Sequence, residues 1–264
     1  MIYKRAIAKL RAQDWSAILV EFAIVVAGVF VGTWVANLNQ QRLATTQMRG
    51  ILAQVRPDLI ALRDFYPSNQ NYYKVARDYA DVALAGWRRD PRVSDRDFVI
   101  AAYQATQVNI YSFNAGTWGS VVGAEQVRSL PVSDLRRDLS AIITLDYSPL
   151  QMAAVSTPYR QQVRKLIPLA LEEQIRGSCG DVLPRDQDPK GNNFVLPARC
   201  GIAVDLALAA SVAAKLRAHP ELVDELSWHF AQVAIASSNA KFDSDLASEV
   251  VREIDHYLGE KTAR

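Results

Sequence analysis

The chain has 264 residues, half of them apolar and 22% charged, with 30 Lys and Arg against 28 Asp and Glu; such a composition fits one or at most two globular domains and excludes disorder. Twelve Gly, eleven Pro and no low-complexity tract exclude a collagen-like or fibrous chain. A net charge of +2 offers no electrostatic footprint for nucleic acid.

Residues 1–14 form a basic segment, with Lys4, Arg5, Lys9 and Arg11 against Asp14 alone. From Trp15 to Leu38 the chain reads WSAILVEFAIVVAGVFVGTWVANL, 24 residues whose only charge is Glu21. As a helix this stretch runs ~36 Å, enough to cross a bilayer. Trp15 and Trp34 lie ~28 Å apart along the axis, where interfacial aromatic residues bracket the hydrocarbon. Basic residues precede the span and the first one after it is Arg42, so the positive-inside bias predicts a cytoplasmic N-terminus and an exported domain at 39–264. The location expected is a bacterial inner membrane, crossed once, with a periplasmic domain. A cleaved signal peptide is the competing reading, but the apolar run exceeds the usual length, and cleavage after Ala36 would put Trp34 where a small residue is wanted.

Within the span, Gly28, Gly32 and Ala36 make a GxxxGxxxA stripe of the kind that lets two helix backbones approach closely in lipid. At 100° per residue, Glu21, Val25, Gly28, Gly32, Val35 and Asn39 share one face. A carboxylate on that face is expected either to hydrogen-bond across a helix interface or to reach back to the headgroups and nearby basic residues.

After the span, Met48, Ile51, Leu52, Val55, Leu59, Leu62 and Tyr66 recur at helical spacing. Pro57 is placed to kink that helix, and a second helix is expected from Tyr72 to Trp87. Ser94 with Asp97 resembles a helix-capping pair, and Ser133 is a candidate N-cap for a helix using Leu135, Leu139, Ile142 and Ile143. Residues 150–175 are helical in pattern with interruptions at Pro158 and Pro168. Cys179 and Cys200 enclose a Pro- and Gly-rich loop, and in an exported domain the pair reads as a disulfide. Helices follow over 203–216 and 221–258, separated at His219 and Pro220, the last with a break near Ser237–Ser244. No alternating run is long enough to require a sheet. The fold class expected is all-α, a transmembrane helix continuing into a helical-bundle-like domain whose charges balance at 26 of each sign once those up to Glu21 are removed.

The span running into VANLNQQR at 35–42, the helical segment after it, and TWGSVVGAEQVRSLPVSDLRRDLSAI at 117–142 resemble a family of uncharacterised bacterial single-pass membrane-anchored proteins. The resemblance covers roughly the first 150 residues and rests on Thr117, Gly123, Leu130, Leu135 and Arg136. It implies a membrane anchor and no particular activity. Read physically, the same stretch is a turn in which Thr117 caps, Gly123 supplies a left-handed residue and Trp118, Val121, Val122 and Leu130 pack.

Chemistry is sparse. The three histidines, His219, His229 and His256, are too few for a metal centre, and His229 beside Trp228 and Phe230 reads as a satisfied or half-exposed histidine of an amphipathic helix. Asp186, Asp188 and Gly191 imitate a calcium loop, but Lys190 stands where a ligand oxygen belongs. No phosphate-loop, dinucleotide, nucleophile-elbow or zinc-protease string occurs, so no cofactor or metal is expected. The reading is a structural or interaction protein whose partners are the lipid bilayer and a second copy or another envelope protein, with Glu21, Val25, Gly28, Gly32 and Ala36 as the interface. With about fourteen residues in the cytoplasm, any signal would pass through a membrane partner. The alternatives are a periplasmic enzyme using His229, or a sensor with a cavity lined by Tyr72, Tyr79, Tyr103 or Trp118.

Overall fold

The computed structural model describes residues 15–109, 127, 130, 132–145, 156–183 and 194–259. Among them the fold is all-α, as expected, and the β-pairing is one isolated bridge between Val182 and Val195. Seven helices are described: α1 Trp15–Trp87, α2 Asp95–Gln104, α3 Ser133–Thr144, α4 Pro158–Leu166, α5 Leu169–Cys179, α6 Leu206–Arg217 and α7 Leu222–Leu258. The chain divides into two units, Met1–Leu52 and Ala53–Arg264.

Among the described residues, α1 is the one helix long and apolar enough to cross a membrane. Its large apolar side chains from Leu19 to Leu43 are exposed, except Val26, which is half-buried. Thr33, a polar residue inside the apolar run, donates its hydroxyl back to the carbonyls of Val29 and Phe30 at 2.9 and 3.0 Å, so its polarity is satisfied within the helix.

The second unit is organised by α7 and the part of α1 beyond residue 52. The two run antiparallel: Arg56 pairs with Asp255, Ser244 bonds Arg63, Tyr72 and Ala76 share a core cluster with Val233 and Ala236, and the Arg77 guanidinium lies 5.5 Å above the Phe230 ring. Buried positions on α7 fall at Leu222, Leu226, His229, Val233, Ala236, Ala240, Asp243, Ala247, Val250 and Ile254. Their steps alternate between four and three, the period of helices packed along their length. Val55, Leu59, Leu62, Asn69, Tyr73, Ala76, Ala80 and Ala83 make the matching seam on α1. Alongside, α3 and α4 pack on α7, and α2 packs on α6. A second core joins Ala83 of α1, Phe98 and Tyr103 of α2, Tyr159 of α4, Ile175 of α5 and Leu216 of α6.

Several boundaries follow the sequence signals. Ser94 caps α2 by accepting from the Asp97 N–H at 3.1 Å. Pro158 opens α4 behind a Thr157 cap, and Pro168 precedes α5, the places where a missing N–H costs nothing. Three expectations are corrected. The helix of Met48–Tyr66 and that of Tyr72–Trp87 are one, since α1 continues through Pro57 and Pro67. Proline at 67 leaves the Arg63 carbonyl without its intrahelical donor, and Ser244 of α7 supplies one, with Oγ 2.5 Å from that oxygen. Nor does α7 break near Ser237–Ser244: Ser238 donates back to the Ala234 carbonyl at 3.1 Å, and Ala236, Ala240, Asp243 and Ser244 stay buried along the seam. Ser133 does not cap α3; Val132, in extended backbone, is the cap residue and Ser133 is already helical.

Candidate functional site

The five interface residues named from the sequence lie on α1 of the first unit. Glu21, Val25, Gly28, Gly32 and Ala36 are all exposed, and a Cβ added at Gly28 or Gly32 would meet no atom within 4 Å. Along the same face Gly32, Val35, Ala36, Leu38, Asn39 and Arg42 line a shallow open groove. The small side chains lower the helix surface there, so a second helix would approach backbone to backbone.

The cysteine pair is a disulfide between Cys179, the last residue of α5, and Cys200, with Cα atoms 5.4 Å apart. Inside it, Val182 and Val195 exchange two main-chain hydrogen bonds of 2.9 Å. The calcium-like residues Asp186, Asp188, Lys190 and Gly191 lie outside the described residues, as do Thr117, Trp118, Val121, Val122 and Gly123.

A polar cluster in the second unit carries no motif. The stretch from the last residue of α2, Gln104, to Asn109 is buried although four of its six residues are polar, so its groups must find partners. Gln104 Nε2 donates to the Cys179 carbonyl at 2.6 Å, and Gln107 Nε2 to Gln104 Oε1 at 3.2 Å. The Asn109 N–H donates to Tyr73 Oη at 3.1 Å, and its side-chain amide to Asn69 Oδ1 at 3.2 Å. Two arginines of α4, one turn apart, close the cluster. Arg160 donates through Nη1 to the Thr106 carbonyl. Arg164 donates through Nε to Thr106 Oγ1 at 3.0 Å and through Nη2 to Gln107 Oε1 at 3.1 Å, with its guanidinium 4.9 Å above the Tyr103 ring. Burial, then the charge of Arg164, pulls the Arg160 pKa down. The Tyr72 hydroxyl donates to Asp181 at 3.2 Å, and burial together with that carboxylate raises its pKa well above the ordinary phenol value.

His229 adjoins this cluster. It is fully buried, its Nδ1 is 2.8 Å from Thr157 Oγ1, and its Nε2 has no partner. Burial, and secondarily the Arg160 charge, depresses its pKa to about 4. The imidazole is therefore neutral at ordinary pH and packed edge-on to Phe230. The enzymatic alternative called on this histidine, and it is packed in the core. Of the tyrosines expected to line a cavity, Tyr72 and Tyr103 are core residues, and Tyr79 donates to the Pro197 carbonyl at 2.9 Å. His219 pairs with Glu221 at 2.8 Å, and His256 is exposed. Sequence reading missed Arg160, Arg164, Thr106 and Gln107; the available signals were two arginines four apart and a polar QATQ run where a helix ends. No protein-family model, curated protein or solved structure matches the chain.

Proposed function

We propose that this chain is a single-pass protein of a bacterial inner membrane, holding a helical domain on the periplasmic side, and that it acts as an interaction component through its membrane helix. The observation that carries this reading is the exposed, almost wholly apolar surface of α1 from Leu19 to Leu43. Water disfavours such a surface and lipid accepts it. The disulfide supports an oxidising compartment for the second unit, and the basic residues before the span support a cytoplasmic N-terminus. Open space over Gly28 and Gly32 supports association along that stripe, by a second copy or another membrane protein.

Photo-crosslinking in native membranes from a probe at Val25, with Phe30 on the opposite face as control, tests the association. An adduct from Val25 alone is expected, abolished by Gly28→Ile. Twice the monomer mass identifies a homodimer, and another mass identifies the partner. Equal adducts from both faces, or none, would remove the interface and leave an anchor. Phosphatase fusions after residues 14 and 60 test the orientation; activity is expected only after residue 60.

A further inference from the structure

We propose that the outward face of α7 between Trp228 and Phe242 is a docking surface for an amphipathic helix of a partner protein, one with apolar residues at heptad spacing and basic residues where it passes the Trp228 end. The first observation is a second apolar stripe on this helix. One face of α7 buries His229, Val233, Ala236 and Ala240 in the core. On another face Trp228, Ile235 and Phe242 follow at seven-residue intervals and are 55%, 58% and 60% exposed. Seven residues nearly complete two helical turns, so the three side chains form one stripe ~21 Å long. Ala231 and Ser238, both exposed, occupy the turns between them with small side chains. No other described helix of the second unit exposes three large apolar side chains. A helix on the surface of a domain turns polar residues outward, whereas one that is apolar on two faces is covered on both. An aligned patch with two aromatic residues has the composition of an interface centre, and its spacing is that of helix against helix.

The charges around the stripe select its occupant. In the same seven-residue rows Glu221 and Asp224 precede the apolar residues, and Asp245 and Glu249 follow them. Glu221 faces His219, Asp245 pairs with Lys241 and Glu249 pairs with Arg252. Asp224 and the adjacent Glu225 make no ion pair among the described residues, so the uncompensated acid lies at the Trp228 end. A second α7 laid parallel and in register would set Asp224 against Asp224; laid antiparallel about Ile235, it would set Glu225 against Asp245. Like charges brought face to face oppose both self-pairings. A helix with basic residues at that end meets complementary charge instead.

The test is fluorescence anisotropy with the full chain in phosphatidylcholine nanodiscs. The probe is a labelled helical peptide of about three heptads with Leu at every seventh position, Ala between them and Lys flanking both ends; empty discs give the lipid background. Saturable binding is expected, roughly tenfold or more tighter than for the same peptide with Glu in place of Lys, and the preference should shrink as NaCl is raised. Ile235→Asp and Phe242→Asp should each weaken binding roughly tenfold or more, with Tm little changed because both side chains already face outward. Leu206→Asp, at an exposed apolar position of α6, should leave binding as it was. Should an aspartate variant lower Tm, Ile235→Ser is expected to weaken binding without doing so. Binding that ignores the sign of the peptide, survives the stripe substitutions or does not exceed that of empty discs overturns the proposal. So does a wild-type dimer in the discs that Ile235→Asp dissolves and Gly28→Ile does not, because the occupant is then a second copy.

Discussion

A Cβ at Gly86 would stand 2.1 Å from Phe98 Cδ2, and Phe98 has nowhere to retreat. Its ring meets Trp87 edge-on at 5.0 Å, the Arg217 guanidinium lies 4.8 Å above it, and Arg217 is held by Asp95 at 2.7 Å and by the Gly86 carbonyl at 3.0 Å. Gly86→Ala should therefore cost about 1–3 kcal/mol, the range for overpacking a filled core, read from denaturant unfolding. A second pair of residues governs the response to acid. His229 is depressed to about 4 by burial, so the unfolded state binds its proton first as pH falls from 6.5 to 4. Folding loses stability across that window, by up to roughly 3 kcal/mol. Asp243, raised to about 6 by burial, works the other way: the folded state takes its proton first, and stability rises as pH falls from 6 to 4, by a somewhat smaller amount because its shift is the smaller of the two. The two contributions oppose each other over nearly the same range. Asp243→Asn should therefore steepen the loss of Tm between pH 6.5 and 4, and His229→Gln should reverse its slope. Parallel slopes in both variants would refute this account.

At the scale of elements, the bond from Ser244 to the Arg63 carbonyl is what allows α1 to carry a proline at 67 where α7 lies against it. Ser244→Ala is expected to cost about 1–3 kcal/mol by leaving that carbonyl unpaired. In a Pro67→Ala background residue 67 regains its N–H, the intrahelical bond reforms, and the same substitution should cost much less. A double-mutant cycle with coupling near zero would count against the assignment. The helices themselves were legible from three- and four-residue spacing, and their boundaries were legible wherever a proline or a capping pair stood, as at Ser94, Pro158 and Pro168. The continuity of α1 was not, because a proline in a helix pattern signals a stop unless a partner 181 residues away repairs the missing bond. Ser237–Ser244 misled for a related reason: a serine that returns its hydroxyl to the preceding turn, as Ser238 does, or donates it to a neighbouring helix, as Ser244 does, looks in sequence like the start of a loop.

For the molecule as a whole, the disulfide ties the end of α5 to the chain leading into α6 across a sequence separation of 21. Reduction, or Cys200→Ser, should lower unfolding stability by about 3 kcal/mol in the chain-entropy picture, measured with and without reductant. That pairing and the apolar span were plain from composition and spacing, since both are properties of contiguous or paired residues. The polar cluster was not, because Tyr103, Thr106, Arg160 and Arg164 become neighbours only when α2 and α4 fold together. The ion pair between Arg56 and Asp255 has a further consequence. Sliding α7 by one heptad would keep apolar seams facing each other and bring Ser237 to the level of Arg63, so neither hydrophobicity nor the serine bond forbids the shifted alignment. The same slide would set Ser248 opposite Arg56 and strip Asp255, only 2% exposed, of its bidentate cation. One carboxylate thus makes a single register the only affordable one.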